Sequence, residues 1–283
     1  MQIELHLGHR DAEMDRIIFH ANMSGVPFIF LTSKNTLCDA RNAYAADWIY
    51  TARQTKVVVI EGQEIKVPRI KKTRKTEKTR DIISIDHHRL NIDPGASMGP
   101  DEYWKASSLG QLCKLLGHKP NEEDLTIAAA DHCLAAAVQG ECPGVYGPDV
   151  VYHRIHEIAA EFNLDSHAVE MRVQSFCRKM PRASVKIFDE QEVLDLRRYR
   201  FAFKKGKYSI DLLILQVALA MEGKAALVCF THQDNTPEVI MLTGYVREKT
   251  VYAFWDWTKK QGLVNHFGVP LRGHGGAERS YVL

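Results

Sequence analysis

The feature that most limits the fold of this chain is a series of short apolar runs, each followed by a longer stretch of helical periodicity. Lys56-Val57-Val58-Val59-Ile60 and Asp81-Ile82-Ile83-Ser84-Ile85 are rich in β-branched residues and too brief for core helices. Both read as buried strands. Residues 2–7 and 26–31 read the same way, and between them Ala12–Met23 sets Met14, Ile17, Ile18 and Ala21 on one helix face. Further helices are expected at 39–52, 107–116 and 125–138. Strands regularly separated by helices predict an α/β fold, a doubly wound and mostly parallel sheet with helices covering it.

The C-terminal half changes character. Ile155, Ile158 and Ala159, then Val169, Val173 and Phe176, recur at helical spacing until Pro181 breaks the pattern. Past Arg197 a second, smaller α/β domain is expected, with helices at 210–221 and 254–260 and strands at 225–230 and 239–242. It closes on a glycine-rich segment, Arg272-Gly273-His274-Gly275-Gly276-Ala277, read as a loop. The domain boundary is placed between Val185 and Arg197. That divides the chain into residues 1–185, with 150–185 a helical connector, and 197–283.

Composition narrows the function classes. A formal net charge of +2 over 283 residues makes no global case for nucleic-acid binding, so any such case must be local. The local candidate lies within a basic insert at 62–80, where 66–80 holds eight Lys or Arg residues against Glu77. On composition this is a solvated loop, and its functional reading is an arm that attracts phosphates. The six cysteines lack any Cys-x-x-Cys pair, which argues against a zinc ribbon and for reduced thiols in a cytoplasmic protein. The N-terminus lacks a signal-peptide pattern, and the apolar stretch 212–221, interrupted by Gln216, is too short to span a bilayer.

Chemistry concentrates at Asp86-His87-His88, directly behind a strand. A strand ending in carboxylate and imidazoles delivers them to the carboxyl edge of a sheet, where open α/β sheets place their sites. The donor set suits manganese, iron or zinc better than calcium. Downstream come Ala106-Ser107-Ser108, then Ala128-Ala129-Ala130-Asp131-His132-Cys133, where one carboxylate interrupts a small-residue helix. A carboxylate in such a setting is costly to bury without a partner. Last is the glycine-rich segment, whose backbone could approach a phosphate closely. Taken singly, the plain alternatives are a polar loop tip, a solvent-facing Asp and an ordinary turn.

Together these residues resemble the DHH phosphoesterase superfamily, in order along most of the chain. The resemblance implies one or two Mn²⁺ ions, or Mg²⁺ or another divalent ion, held by Asp86, His87 and Asp131, and activating a water against phosphorus. His88 and Asp131 carry the catalytic roles in this reading. The stretch from about Arg197 is similar to the DHH-associated domain, so Arg272, Gly273, His274, Gly275, Gly276 and Arg279 would contact substrate. The family's first motif has no clean copy. His9, Asp11 and Glu13 after the first strand are preferred over the 33–40 segment with Asp39, a residue that also reads as a helix start. Glu61 is the nearest substitute for the second motif.

The implied activity is hydrolysis of a phosphoester or phosphoanhydride bond in a nucleotide, short oligonucleotide or single-stranded nucleic acid, in the manner of an exonuclease. The departures at the first two motifs leave open a nucleotide- or nucleic-acid-binding protein that has lost hydrolysis. The expected partners are therefore phosphorylated small molecules or single-stranded nucleic acid, with no membrane. A homodimer is left open.

Overall fold

The computed structural model describes residues 3–33, 36–37, 56–60, 81–86, 98–180, 183–204, 207–232 and 239–279. The helix expected at 39–52, the basic insert 62–80, Asp39, Glu61, His87, His88 and Pro181 lie outside the described residues. Contacts divide the chain into two units, Met1–Ala96 with Trp104–Asp124, and Ser97–Tyr103 with Leu125–Leu283.

The first unit is built on β1 (Ile3–Leu7), β2 (Phe28–Phe30), β5 (Lys56–Ile60) and β6 (Asp81–Ile85), with a small ribbon of β3 (Thr32–Ser33) and β4 (Thr36–Leu37). The sheet order is β2-β1-β5-β6 and every pairing is parallel. Leu5, Leu7, Val58, Val59 and Ile60 are fully buried, as parallel strands covered on both faces require. Helix α1 (Ala12–Met23) crosses from β1 to β2 and buries Met14, Ile17 and Ala21. Asp11 caps it by accepting the Met14 N–H at 2.8 Å. The short α2 (Tyr103–Ala106) leads into α3 (Ser108–Leu116), which packs on α1.

A chain of polar bonds ties α1 to the turn between α3 and the next helix. Asp124, 1% exposed, accepts from Arg16 Nε at 2.5 Å, His20 Nε2 at 2.9 Å and the Asn121 N–H at 2.9 Å. His20 Nδ1 meets His118 Nδ1 at 2.9 Å, and His118 Nε2 meets Ser24 Oγ at 2.9 Å. Every link is satisfied if Ser24 donates to His118, His118 to His20, and His20 to the Asp124 carboxylate. Burial works to raise the Asp124 pKa, but the Asn121 amide, His20 and Arg16 together hold it below the ordinary carboxylate value.

Helix α4 (Glu122–Val138) begins in the first unit and continues into the second, followed by α5 (Gly147–Glu161) and α6 (Ser166–Lys179). The helical pattern at 150–180 is thus two helices, parted at Asn163 (φ 52°). Beyond them run β7 (Ser184–Phe188), β8 (Gln191–Lys204), β9 (Lys207–Tyr208), α7 (Ile210–Met221), β10 (Ala225–His232), β11 (Val239–Gly244), α8 (Glu248–Lys260), β12 (Leu263–Val269) and β13 (His274–Arg279). Their sheet has the order β12-β13-β11-β10-β8-β7, with β9 on β8; β8 and β10 are parallel and the other pairs antiparallel. Ala226, Val228 and Met241 pack with α7, whereas Ala225, Leu227, Ile240 and Leu242 pack with Val251 and Phe254 of α8. Alternate residues of β10 and β11 therefore face opposite helical layers. Leu212 to Leu215 and Val217 to Ala220 are all buried, so α7 is apolar all round and lies inside its unit.

Two stretches differ from the sequence expectation. The segment from Val185 to Arg197, expected to separate domains, is the β7–β8 hairpin. Its turn places Asp189 and Glu190 at φ 45° and 63°, a geometry usually announced by Asn or Gly and here carried by neither. The glycine-rich segment is strand β13, paired to β11 on one side and β12 on the other. Its glycines answer to packing: a Cβ on Gly275 would lie 2.6 Å from Val251, and one on Gly276 2.1 Å from the Phe267 ring. Among the described residues no helix is long and apolar enough to cross a membrane.

Candidate functional site

In the first unit the strand order sets the place. From β1 the chain moves to β2 on one side, while β5 and β6 stand on the other, so the order reverses between β1 and β5. Crevices at the carboxyl ends of strands flanking such a reversal are where open parallel sheets bind ligands. Register aligns Leu7 with Ile60 and Ile60 with Ile85, which brings the ends of β1, β5 and β6 to one edge. Gly8 N–H donates to Ile60 O at 3.0 Å and closes that edge. His9 and Asp11 follow β1 there, and Asp86, 1% exposed, follows β6.

Two of the first-motif carboxylates already have structural work. Asp11 caps α1. Glu13, 3% exposed, accepts the Leu109 N–H through Oε1 at 3.0 Å. With Ser107 Oγ accepting the Gly110 N–H at 3.0 Å, it satisfies the first turn of α3, whose positive end favours a carboxylate. The Ala106-Ser107-Ser108 segment is therefore the start of α3, and Ser107 and Ser108 are fully buried. Gly110 is needed beside it, since a Cβ there would fall 1.7 Å from Trp104 O.

Among the described residues no three His, Cys, Asp or Glu side chains gather closely enough to hold an ion. His9 and Asp86 are of the right donor type for a borderline or hard divalent cation and share the sheet edge, with His87 next in sequence. Asp11 and Glu13, by contrast, are engaged in capping α1 and α3. Sequence reasoning passed over one more buried polar pair, Glu4 and His6, bonded at 3.0 Å on the same side of β1. Its signal was there in the alternation of a strand, read only for apolar residues.

In the second unit two distant sequence motifs meet. Helix α4 kinks at Cys133, whose φ of −154° and ψ of 55° are not helical. Asp131 and His132 lie just before the break, following the buried Ala128, Ala129 and Ala130. A kink leaves carbonyls short of helical partners. Here His132 O accepts from Arg272 Nε at 2.7 Å, while the His132 ring, 2% exposed, meets Met98 O at 3.2 Å. Arg154 on α5 pairs with Glu157 at 2.5 Å. Burial opposes its charge, but Glu157, then Asp131 and Glu161, keep the guanidinium firmly protonated. His274 opens β13 two residues after Arg272; burial, and secondarily the Arg272 charge, push its pKa down to about 4, so the imidazole is neutral at pH 7. Gly273 (φ 68°) supplies the left-handed turn between them. Arg279 ends β13.

No protein-family model matches the chain, and no curated protein matches it significantly. Among solved structures, the chain is similar to PggH, a pGpG-specific phosphodiesterase from Vibrio cholerae, at 8% identity and a TM-score of 0.45, over 99% of this chain and 94% of that one. A Methanococcus jannaschii protein of the proposed family II inorganic pyrophosphatase type is similar at 12% identity and a TM-score of 0.17, over 85% of this chain and 78% of that one. The α/β assignment rests on the strand order and register of this chain itself.

Proposed function

We propose that this protein is a metal-dependent phosphoesterase of the DHH type, hydrolysing a phosphoester or phosphoanhydride bond in a nucleotide, short oligonucleotide or single-stranded nucleic acid end. The observation that carries the reading is Asp86, a buried carboxylate at the carboxyl end of a parallel strand, with His87 and His88 next in sequence. Asp86, His87 and Asp131 are proposed as ligands of one or two Mn²⁺ ions, or of Mg²⁺ in their place, with His9 as a further donor. When bound, such an ion supplies an activated water and polarises phosphoryl oxygen. His88 is proposed to bond a phosphate oxygen or the leaving group. Arg272 supplies positive charge beside the kink that bears Asp131, suited to a phosphate. His274, neutral, contributes hydrogen bonding rather than charge. Arg279 and the basic insert at 62–80 would add charge toward a polyanion.

The test is manganese-dependent turnover of bis(p-nitrophenyl) phosphate and short oligonucleotides by the full chain. Asp86→Asn and Asp131→Asn are each expected to lower it by more than about 100-fold, beyond the usual cost of removing an outer-shell partner. Turnover that survives either change, in a variant with the wild-type circular dichroism spectrum, overturns the reading.

A second reading, nucleotide or nucleic-acid binding without hydrolysis, is favoured by one observation: Asp11 and Glu13 are occupied in capping α1 and α3. It predicts nucleotide binding that needs no metal and persists in Asp131→Asn, with no turnover in the wild type.

A further inference from the structure

Cys133 and Cys142 stand with their sulfurs 3.1 Å apart, and both are buried, at 5% and 2% exposure. Thiols in mere packing contact need no particular backbone. Here the pair sits where the backbone leaves helical geometry: Cys133 is the residue at which α4 breaks. Cys142 sits in the turn after α4, and that turn is anchored from three directions. Gln139 Nε2 donates to Ala220 O at 2.7 Å, the Tyr245 hydroxyl donates to the Glu141 carboxylate, and the Tyr103 hydroxyl donates to Pro143 O at 3.0 Å. Gly140 and Gly144, at φ 81° and 78°, make the turn's path possible on either side. Tyr103 is 2% exposed; burial, then the adjacent Cys142 and Cys133, push its phenol pKa up.

We propose that Cys133 and Cys142 form a reversible redox modification site, in which a small peroxide converts the dithiol to a disulfide. A disulfide bond is about 2.05 Å long, so the sulfurs need to close by roughly 1 Å. In the first step one thiol attacks the O–O bond of hydrogen peroxide, giving a sulfenic acid and water. In the second, the other thiol displaces hydroxide from that sulfenic sulfur, the S–S bond forms, and a second water leaves. Two electrons pass from the thiols to the peroxide, and a dithiol reductant returns them by exchange. Both sulfurs are buried, which favours an oxidant as small as hydrogen peroxide. The cross-link would pin the α4 kink, two residues beyond Asp131 and next to the His132 carbonyl that Arg272 holds.

The test is peptide mass mapping of the full wild-type chain after treatment with hydrogen peroxide and alkylation under denaturing conditions. The expected result is loss of two thiols per chain, a linked Cys133–Cys142 peptide lighter by two hydrogens, and full recovery with dithiothreitol. In Cys142→Ser the linked peptide is absent and dimedone traps a sulfenic acid at Cys133. Three outcomes overturn the proposal: both thiols untouched while other cysteines oxidise, Cys133 or Cys142 paired elsewhere, or irreversible sulfinic acid without the cross-link. None of these readouts depends on catalytic activity, so the redox site and the proposed function stand or fall separately.

Discussion

Replacing His274 by Asn should flatten one part of the pH–stability curve. In the folded chain burial, aided by the Arg272 charge, lowers the imidazole pKa from the ordinary 6.5 to about 4. A depressed value means that the native state prefers the neutral ring. Between the two values the unfolded chain binds a proton that the folded chain refuses. Stability from this residue is therefore complete above pH 6.5 and drains away as the pH falls toward 4. At about 1.36 kcal/mol per pH unit the interval is worth at most about 3 kcal/mol, less to the extent that the ring keeps contact with water. The assay is urea unfolding of wild type and His274→Asn at half-unit steps from pH 7 down to about pH 3. The difference between the two free energies should shrink steadily with acid and level off below pH 4. Arg272→Gln should leave most of the slope, because burial is the larger cause. A difference that stays flat from pH 7 to 4 refutes the reasoning.

Gly276→Ala puts a Cβ 2.1 to 2.6 Å from three atoms at the tip of the Phe267 ring, which is 40% exposed and can swing aside. The cost should therefore stay at or below about 1 kcal/mol, the low end for overpacking. In a Phe267→Ala background the same change should cost almost nothing; equal costs in both backgrounds, measured by thermal unfolding, would refute packing as the reason for glycine. Asp124→Ala removes a 1% exposed carboxylate from Arg16 and His20 and should cost about 3–5 kcal/mol, as breaking buried ion pairs does. A loss under about 1 kcal/mol in urea unfolding would mean that the chain from Arg16 to Ser24 contributes little. Because the Asp124 pKa is held low, its stabilisation should be whole above the ordinary carboxylate value and fade as acid passes below it. Acid unfolding of Asp124→Ala should accordingly show a shallower pH dependence than wild type.

How much of this was readable from residues alone varies with the range of the forces involved. Helices α1 and α7 match their apolar periodicity end to end, and β5 its β-branched run, because the pattern is written within one element. Strand β13 was misread because glycine carries no strand preference. What makes it a strand is the pair of neighbours it lies between, β11 and β12, and the rings that fill the space its glycines vacate. The β7–β8 turn was missed because Asp189 and Glu190 adopt positive φ without the residues that usually announce it. Glu13 stands among the first-motif residues on spacing, yet its partner is the α3 amide of Leu109, 96 residues away.

Local order, then, told the parallel strands apart from the helices and marked Asp86 as a residue at a strand's end, since backbone preference and side-chain periodicity act over a few neighbours. It could not say that the chain reverses direction across the sheet between β1 and β5, which depends on pairing between segments far apart. Nor could it say that Arg272 reaches the His132 carbonyl across 140 positions, or that two scattered cysteines touch at a helix kink. Those meetings come from long-range burial and hydrogen bonding, whose partners are chosen by the packed fold and leave no trace in any window of sequence.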